Sequence, residues 1–203
     1  MENISTIIFD LGGVIMDIDV KQTLRAFTNL GAKDIHRYFG HGFAASFFSD
    51  HEAGRITDEA FLKEIKNLLT GDVSDESVID AWNALLLSFP ADRIELLNGL
   101  KSKYRLFLYS NTNELHYQKF SEIYRKAFGV ELEKHFEKAY FSHVLGHRKP
   151  ETGGFEQIIA ENGLNPAKTL FVDDAIINVE AAMKTGLKGL YLPPGLFITD
   201  IRW

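Results

Sequence analysis

The sequence predicts an α/β fold, in which a core of parallel strands is interrupted after its first strand by an inserted helical bundle. Three observations carry that prediction. Short apolar runs recur, each closing on a polar residue, as strands of a sheet buried on both faces do. Patterns of helical period lie between the later runs, the alternation expected of a parallel sheet. The first two runs stand much further apart than the roughly 30 residues of a βαβ unit, and helical periodicity fills the gap.

Taken in order, the first strand covers residues 5–9, before Asp10. The next is 105–109, before Ser110, and the third is 138–141, before Ser142. The last two are 168–172, before Asp173, and 187–192, before Pro193-Pro194. Phe155, Ile158 and Ile159 share a helical face that Asn162-Gly163 stops, and Val179, Ala182 and Met183 share another that Gly186 stops. In the long interval three apolar stripes appear: Val20, Leu24, Phe27 and Leu30; Phe61, Ile65, Leu68 and Leu69; Val78, Trp82, Leu85 and Leu86. Thr57 before Asp58-Glu59 and Ser74 before Asp75-Glu76 are predicted N-caps with acids in the first turn. These assignments divide the chain into a Rossmann-like core of residues 1–15 and 89–203 and a helical cap of residues 16–88. Residues 90–104 form the helix that returns to the sheet, and the tail 196–203 docks on the body.

Composition narrows the function. The 203 residues include no Cys, which excludes disulfide scaffolds, Cys-ligated zinc, iron–sulfur clusters and thiol nucleophiles. The net charge of −6, without a basic run, argues against nucleic acid as the partner. Sixteen Phe argue against disorder. No apolar run approaches the ~18–20 residues that span a bilayer. Residues 1–9 have no basic stretch ahead of the apolar one, so a cytoplasmic protein without a secretion signal is expected.

Asp10, Ser110 and Asp173-Asp174 all fall just past the carboxyl ends of predicted strands, the edge of an open α/β sheet where ligands bind. Singly, each has an ordinary explanation as a helix cap, a turn or a solvated group. Together they form an all-oxygen set that suits Mg²⁺. A carboxylate is also a nucleophile able to form an aspartyl-phosphate. Gly12-Gly13 lets the backbone turn and bring its N–H groups to an oxyanion. Ser110 and the N–H that follows it, on Asn111, are candidates to hold phosphate oxygens. Lys149 supplies a cation against the transferring group, and such a set is what phosphoryl transfer requires.

Phe9-Asp10-Leu11-Gly12-Gly13-Val14, Tyr109-Ser110-Asn111-Thr112-Asn113, Arg148-Lys149-Pro150 and Phe171-Val172-Asp173-Asp174 resemble, in order, the four motifs of the haloacid dehalogenase (HAD) superfamily. The helical insert resembles that superfamily's C1 cap. The segments from His51 to Phe61 and from Ser110 to His116 further resemble bacterial α-D-glucose-1-phosphate phosphatases. The resemblance implies that Asp10 is the nucleophile and, with the Gly12 carbonyl, a metal ligand. It implies that Ser110 binds phosphate, Lys149 neutralises charge and Asp174 holds Mg²⁺, with Asp173 binding the metal directly or through water. Asn178 falls where many relatives carry another acid that anchors the site. One departure stands out: Gly12 occupies the place of the usual general acid, two residues after the nucleophile.

The expected function is therefore a Mg²⁺-dependent phosphatase acting on a small phosphorylated metabolite as a monomer or small homo-oligomer. Without the acid, esters with a more acidic leaving oxygen are favoured, which points to a sugar 1-phosphate. The alternatives are a non-catalytic binding protein and a 2-haloacid dehalogenase. Asn113 and Glu114 are candidates for substrate hydroxyls, and His41, His51 and Arg55 for the cleft. Phe39, Phe43, Phe47 and Phe48 have the spacing of packing residues between cap helices.

Overall fold

The computed structural model describes residues 3–33, 35 and 46–203; His41, Phe39 and Phe43 lie outside them. Five parallel strands form one sheet in the order β3-β2-β1-β4-β5. They are β1 (Thr6–Phe9), β2 (Arg105–Ser110), β3 (Lys138–Phe141), β4 (Thr169–Asp173) and β5 (Lys188–Tyr191). Each lies within two residues of its predicted bounds. β1 is central and buried throughout, so its side chains alternate between two apolar layers. Ile7 and Phe9 pack with Leu97 of α5 (Ala91–Leu100) and with Phe120 and Tyr124 of α6 (Glu114–Phe128). On the opposite face Ile8 packs with Phe155 and Ile158 of α8 (Gly153–Asn162) and with Ala181 and Ala182 of α9 (Ile176–Lys184). The tail joins the first layer: Ile198 is fully buried, and the Trp203 ring lies 5.7 Å from that of Phe9.

The insert carries α1 (Val20–Asn29), α2 (Ser46–Glu52), α3 (Asp58–Lys66) and α4 (Asp75–Asn83) around a core of its own. Thr57 accepts from Ala60 N at 3.3 Å and Ser74 from Ser77 N at 3.2 Å, as N-caps do. Leu68, Leu69, Leu85 and Leu86 continue their stripes beyond the helix ends and occupy loops. The two connections to the sheet pair with each other, Asp17 N donating to Ser88 O at 2.8 Å and Asp19 N to Leu85 O at 2.9 Å. α6, at 15 residues the longest described helix, was not anticipated. Its buried face mixes Leu115, Phe120 and Tyr124 with the polar His116 and Ser121. The clearest signals were Asn113 at its start and Gly129, left-handed at φ 72°, at its end. The short α7 (Ser142–Leu145) was also unforeseen. Among the described residues no helix is long and apolar enough to cross a membrane.

Candidate active site

β1, β2 and β4 end side by side, so the residues after them share one edge of the sheet. Asp10 continues the ladder, its N–H donating to Val172 O at 2.9 Å, and its carboxylate is largely buried. Lys149, 2% exposed, donates from Nζ to Asp10 Oδ1 at 2.5 Å and to Asp173 Oδ2 at 2.7 Å. The Tyr109 and Phe171 rings, with centroids 5.5 and 5.3 Å from that ammonium, exclude water around it. Burial opposes the charge, but the two carboxylates outweigh it and raise the lysine's pKa. Burial pushes the Asp10 carboxyl up to about 7; Asp173 and Asp174 add to the rise and Lys149 opposes it.

Oxygens of Asp10, Asp173 and Asp174 lie within 4.8 Å of one another. Hard, all-oxygen donors at this separation fit Mg²⁺ rather than a thiophilic or imidazole-seeking metal. The two neighbouring acids differ. Asp173 is fully buried; besides Lys149 it accepts from Ala175 N at 2.7 Å and from Asn178 Nδ2 at 3.1 and 3.2 Å. Asp174 is exposed and folds over Gly13, where a Cβ would collide with its carboxylate. Gly13 also has φ +75°, so both space and backbone demand glycine there. Gly12 is less constrained: a Cβ would meet only the tip of Ile18, at 3.2 Å.

Ser110 ends β2 almost buried, its hydroxyl making one long hydrogen bond to Asn111 O at 3.4 Å. The side chain of Asn111 is engaged by Lys149. Its Nδ2 donates to Lys149 O and its Oδ1 accepts from Lys149 N, both at 2.8 Å. Asn113 has no exposed surface; its Oδ1 accepts from His116 N at 3.0 Å, capping α6, and from Trp82 Nε1 at 3.3 Å. The expectation that Asn113 contacts substrate is thus at odds with its burial. It is a joint between α4 and α6, and its Nδ2 has no partner among the described residues. Glu114 and His143 meet at 3.3 Å and, with His51 and Asp58, line a cavity of about 290 Å³ between insert and core. His51 is buried, bonded to Asp58 at 2.7 Å and stacked on Phe61, which is a packing role. Arg55 is exposed and faces Asp50 at 3.3 Å and Glu151 at 3.8 Å. Phe47 and Phe48 stack in the insert core.

Several contributors escaped sequence reasoning. Ser142 holds the turn after β2, accepting from Thr112 N and donating to Thr112 O, both at 2.9 Å. Glu52 of α2 accepts from Arg148 Nη2 and Nε at 2.7 and 2.9 Å, linking the insert to the residue before Lys149. No local pattern reveals partners 96 positions apart.

An α/β hydrolase with a buried carboxylate, the lysine bonded to it and an exposed second acid at one sheet edge is the class that this fold and edge define. The chain belongs to the haloacid dehalogenase-like hydrolases, whose family model matches residues 4–186. It is 29% identical over 185 residues to the D-ribitol-5-phosphate phosphatase of Bacteroides thetaiotaomicron, covering 91% of this chain and 90% of the relative. A HAD family enzyme of the same organism, solved with magnesium and inorganic phosphate, is 30% identical with a TM-score of 0.86, covering 95% of this chain and 96% of that one. A predicted HAD-like hydrolase of Porphyromonas gingivalis is 32% identical with a TM-score of 0.85, covering 95% and 92%. A dehalogenase at 19% identity and a TM-score of 0.60 shares the fold alone.

Proposed function

We propose that this protein is a Mg²⁺-dependent phosphatase of small phosphorylated metabolites and that Asp10 carries the phosphoryl group between two half-reactions. The observation that supports it most is the joining of Asp10 to Lys149 beside the accessible carboxylate of Asp174. Asp10, the Gly12 carbonyl and Asp174 would hold the cation, which supplies positive charge against the phosphoryl oxygens. Asp173 contributes by anchoring Lys149.

In the first half-reaction an Asp10 oxygen forms a bond to phosphorus while the bond to the leaving oxygen breaks and takes its electron pair. Lys149 and the Ser110 hydroxyl bind the negative charge on the phosphoryl oxygens, a stabilisation that needs no reorganisation in a buried site. Water then attacks phosphorus, Asp10 departs as carboxylate, and inorganic phosphate is released. Gly12 has no side chain to protonate the leaving oxygen, so that proton comes from water. A positioned general acid contributes roughly 10²–10⁴ in rate, and substrates that need it least are favoured. We therefore infer a sugar phosphate, with a sugar 1-phosphate preferred because its anomeric oxygen is the better leaving group. The likeness to a D-ribitol-5-phosphate phosphatase favours a second reading, a polyol phosphate ester of a primary alcohol.

A panel of sugar 1-phosphates, sugar 6-phosphates and pentitol phosphates, assayed with and without Mg²⁺, tests both readings. Highest kcat/KM on a 1-phosphate supports the first, and on a pentitol 5-phosphate the second. Saturable binding of these esters without phosphate release would mark a non-catalytic binding protein.

A further inference from the structure

We propose that Asn111 acts through its side chain as a positioning residue for Lys149 and that this side chain is not a phosphate ligand; the proposal rests on the phosphatase reading above. The two hydrogen bonds between its side-chain amide and the Lys149 backbone, both 2.8 Å, form a closed pair. The oxygen acceptor and one N–H donor of the amide face the N–H and the carbonyl oxygen of Lys149 itself. Such an arrangement fixes orientation as well as distance, because rotating the amide would set N–H against N–H and oxygen against oxygen.

The loop that bears Lys149 needs this grip. It follows β3 and α7, lies 38 positions from Asn111 in sequence, and belongs to no regular element. Its ammonium must nevertheless reach two carboxylates through a flexible four-carbon stem. The ammonium end is held by Asp10 and by Asp173, itself clamped by Ala175 N and Asn178. Asn111 holds the other end. Because Asn111 directly follows Ser110, the phosphate-binding hydroxyl and the lysine's backbone are referred to the same strand end. β2 thereby sets the spacing between two groups that must act on one phosphoryl group.

The distinction from direct phosphate contact is measurable. A misplacement of about 1 Å in a catalytic group can cost about 10² in rate. In Asn111→Ala, kcat on p-nitrophenyl phosphate with Mg²⁺ should fall about 10- to 100-fold. The inhibition constant of inorganic phosphate should change less than about threefold. The Lys149 amide proton, deprived of its acceptor, should exchange with solvent at least tenfold faster, a readout independent of turnover. A rise in the phosphate inhibition constant as large as the fall in kcat would overturn the proposal in favour of direct contact. So would an unchanged kcat, or an Asn111→Ala protein whose Lys149 amide stays protected. Should that variant not fold, Asn111→Asp keeps the size and the acceptor for Lys149 N while losing the donor to Lys149 O, and is read by the same kcat-to-inhibition ratio. Failure of the phosphatase reading is separate, because the wild-type protein would then release no phosphate.

Discussion

At the scale of single residues, the proposed mechanism turns on Gly12. A Cβ at Gly12 would need the Ile18 side chain, 3.2 Å away, to give by a few tenths of an ångström, and the φ of Gly12 is not in the left-handed range, so the backbone itself does not bar Gly12→Asp. Wild-type rates should fall steeply as the leaving-group pKa rises across a series of phosphate esters. Gly12→Asp should flatten that slope, because an added acid matters most where the leaving oxygen is most basic. A shallow wild-type slope, measured where chemistry limits the rate, would mean that another group donates the proton. Asp174 makes a second prediction. A cation bound only by the folded chain stabilises it by about 2.7 kcal/mol at a hundredfold over Kd, or about 5–11 °C of melting temperature at roughly 2–4 °C per kcal/mol. Asp174→Ala should shrink that Mg²⁺-dependent shift, which differential scanning fluorimetry reads directly. An undiminished shift would place the cation elsewhere.

Between elements, the contacts of α4 and α2 with the core carry consequences that no single site residue has. α4 meets α6 through Trp82 with Asn113 and through Asn83 with His116, whose ring stacks on Trp82 at 4.5 Å. Burial, with a smaller contribution from His51, pushes the His116 imidazole down to about 3. The folded chain therefore cannot take up a proton that the unfolded chain binds below about pH 6.5. Stability from this group is complete above that pH and is lost as the pH falls toward 3, at up to about 1.4 kcal/mol per unit. Wild type should lose more melting temperature between pH 7 and 5 than His116→Gln does; equal losses would contradict the argument. On the other side, the half-buried Glu52–Arg148 pair docks α2 beside Lys149. Glu52→Gln should raise KM more than it lowers kcat, and exchanging the two charges in a double variant should recover part of the loss. Additive effects, with no coupling in the double-mutant cycle, would remove the docking role.

Over the whole molecule, the sheet and its edge were legible because buried parallel strands are apolar runs and their polar ends mark the site. Asp10, Lys149, Asp173 and Asp174 meet at that edge, and Ser110 ends the neighbouring strand. What stayed hidden was long-range. Nothing near Asn111 announces that it holds a lysine 38 positions away, nothing near Asn113 that Trp82 seals it, and α6 lacks a clean apolar stripe because the polar His116 and Ser121 lie on its buried face. The same long-range packing bears on the insert's role in substrate choice. Leu115 of α6 belongs to the insert's apolar core, so replacing residues 18–88 by a short linker would expose it. A deletion that also carries Leu115→Lys should retain Mg²⁺ binding and lose selectivity among sugar phosphates; an unaltered ranking would remove recognition from the insert. All of this presupposes that Asp10 is the nucleophile, which Asp10→Asn tests most directly, since the amide keeps the shape and loses the nucleophilicity. With the fold verified by its melting transition, Mg²⁺-dependent phosphate release should fall by about 10³ or more. Turnover within tenfold of wild type would contradict the covalent mechanism.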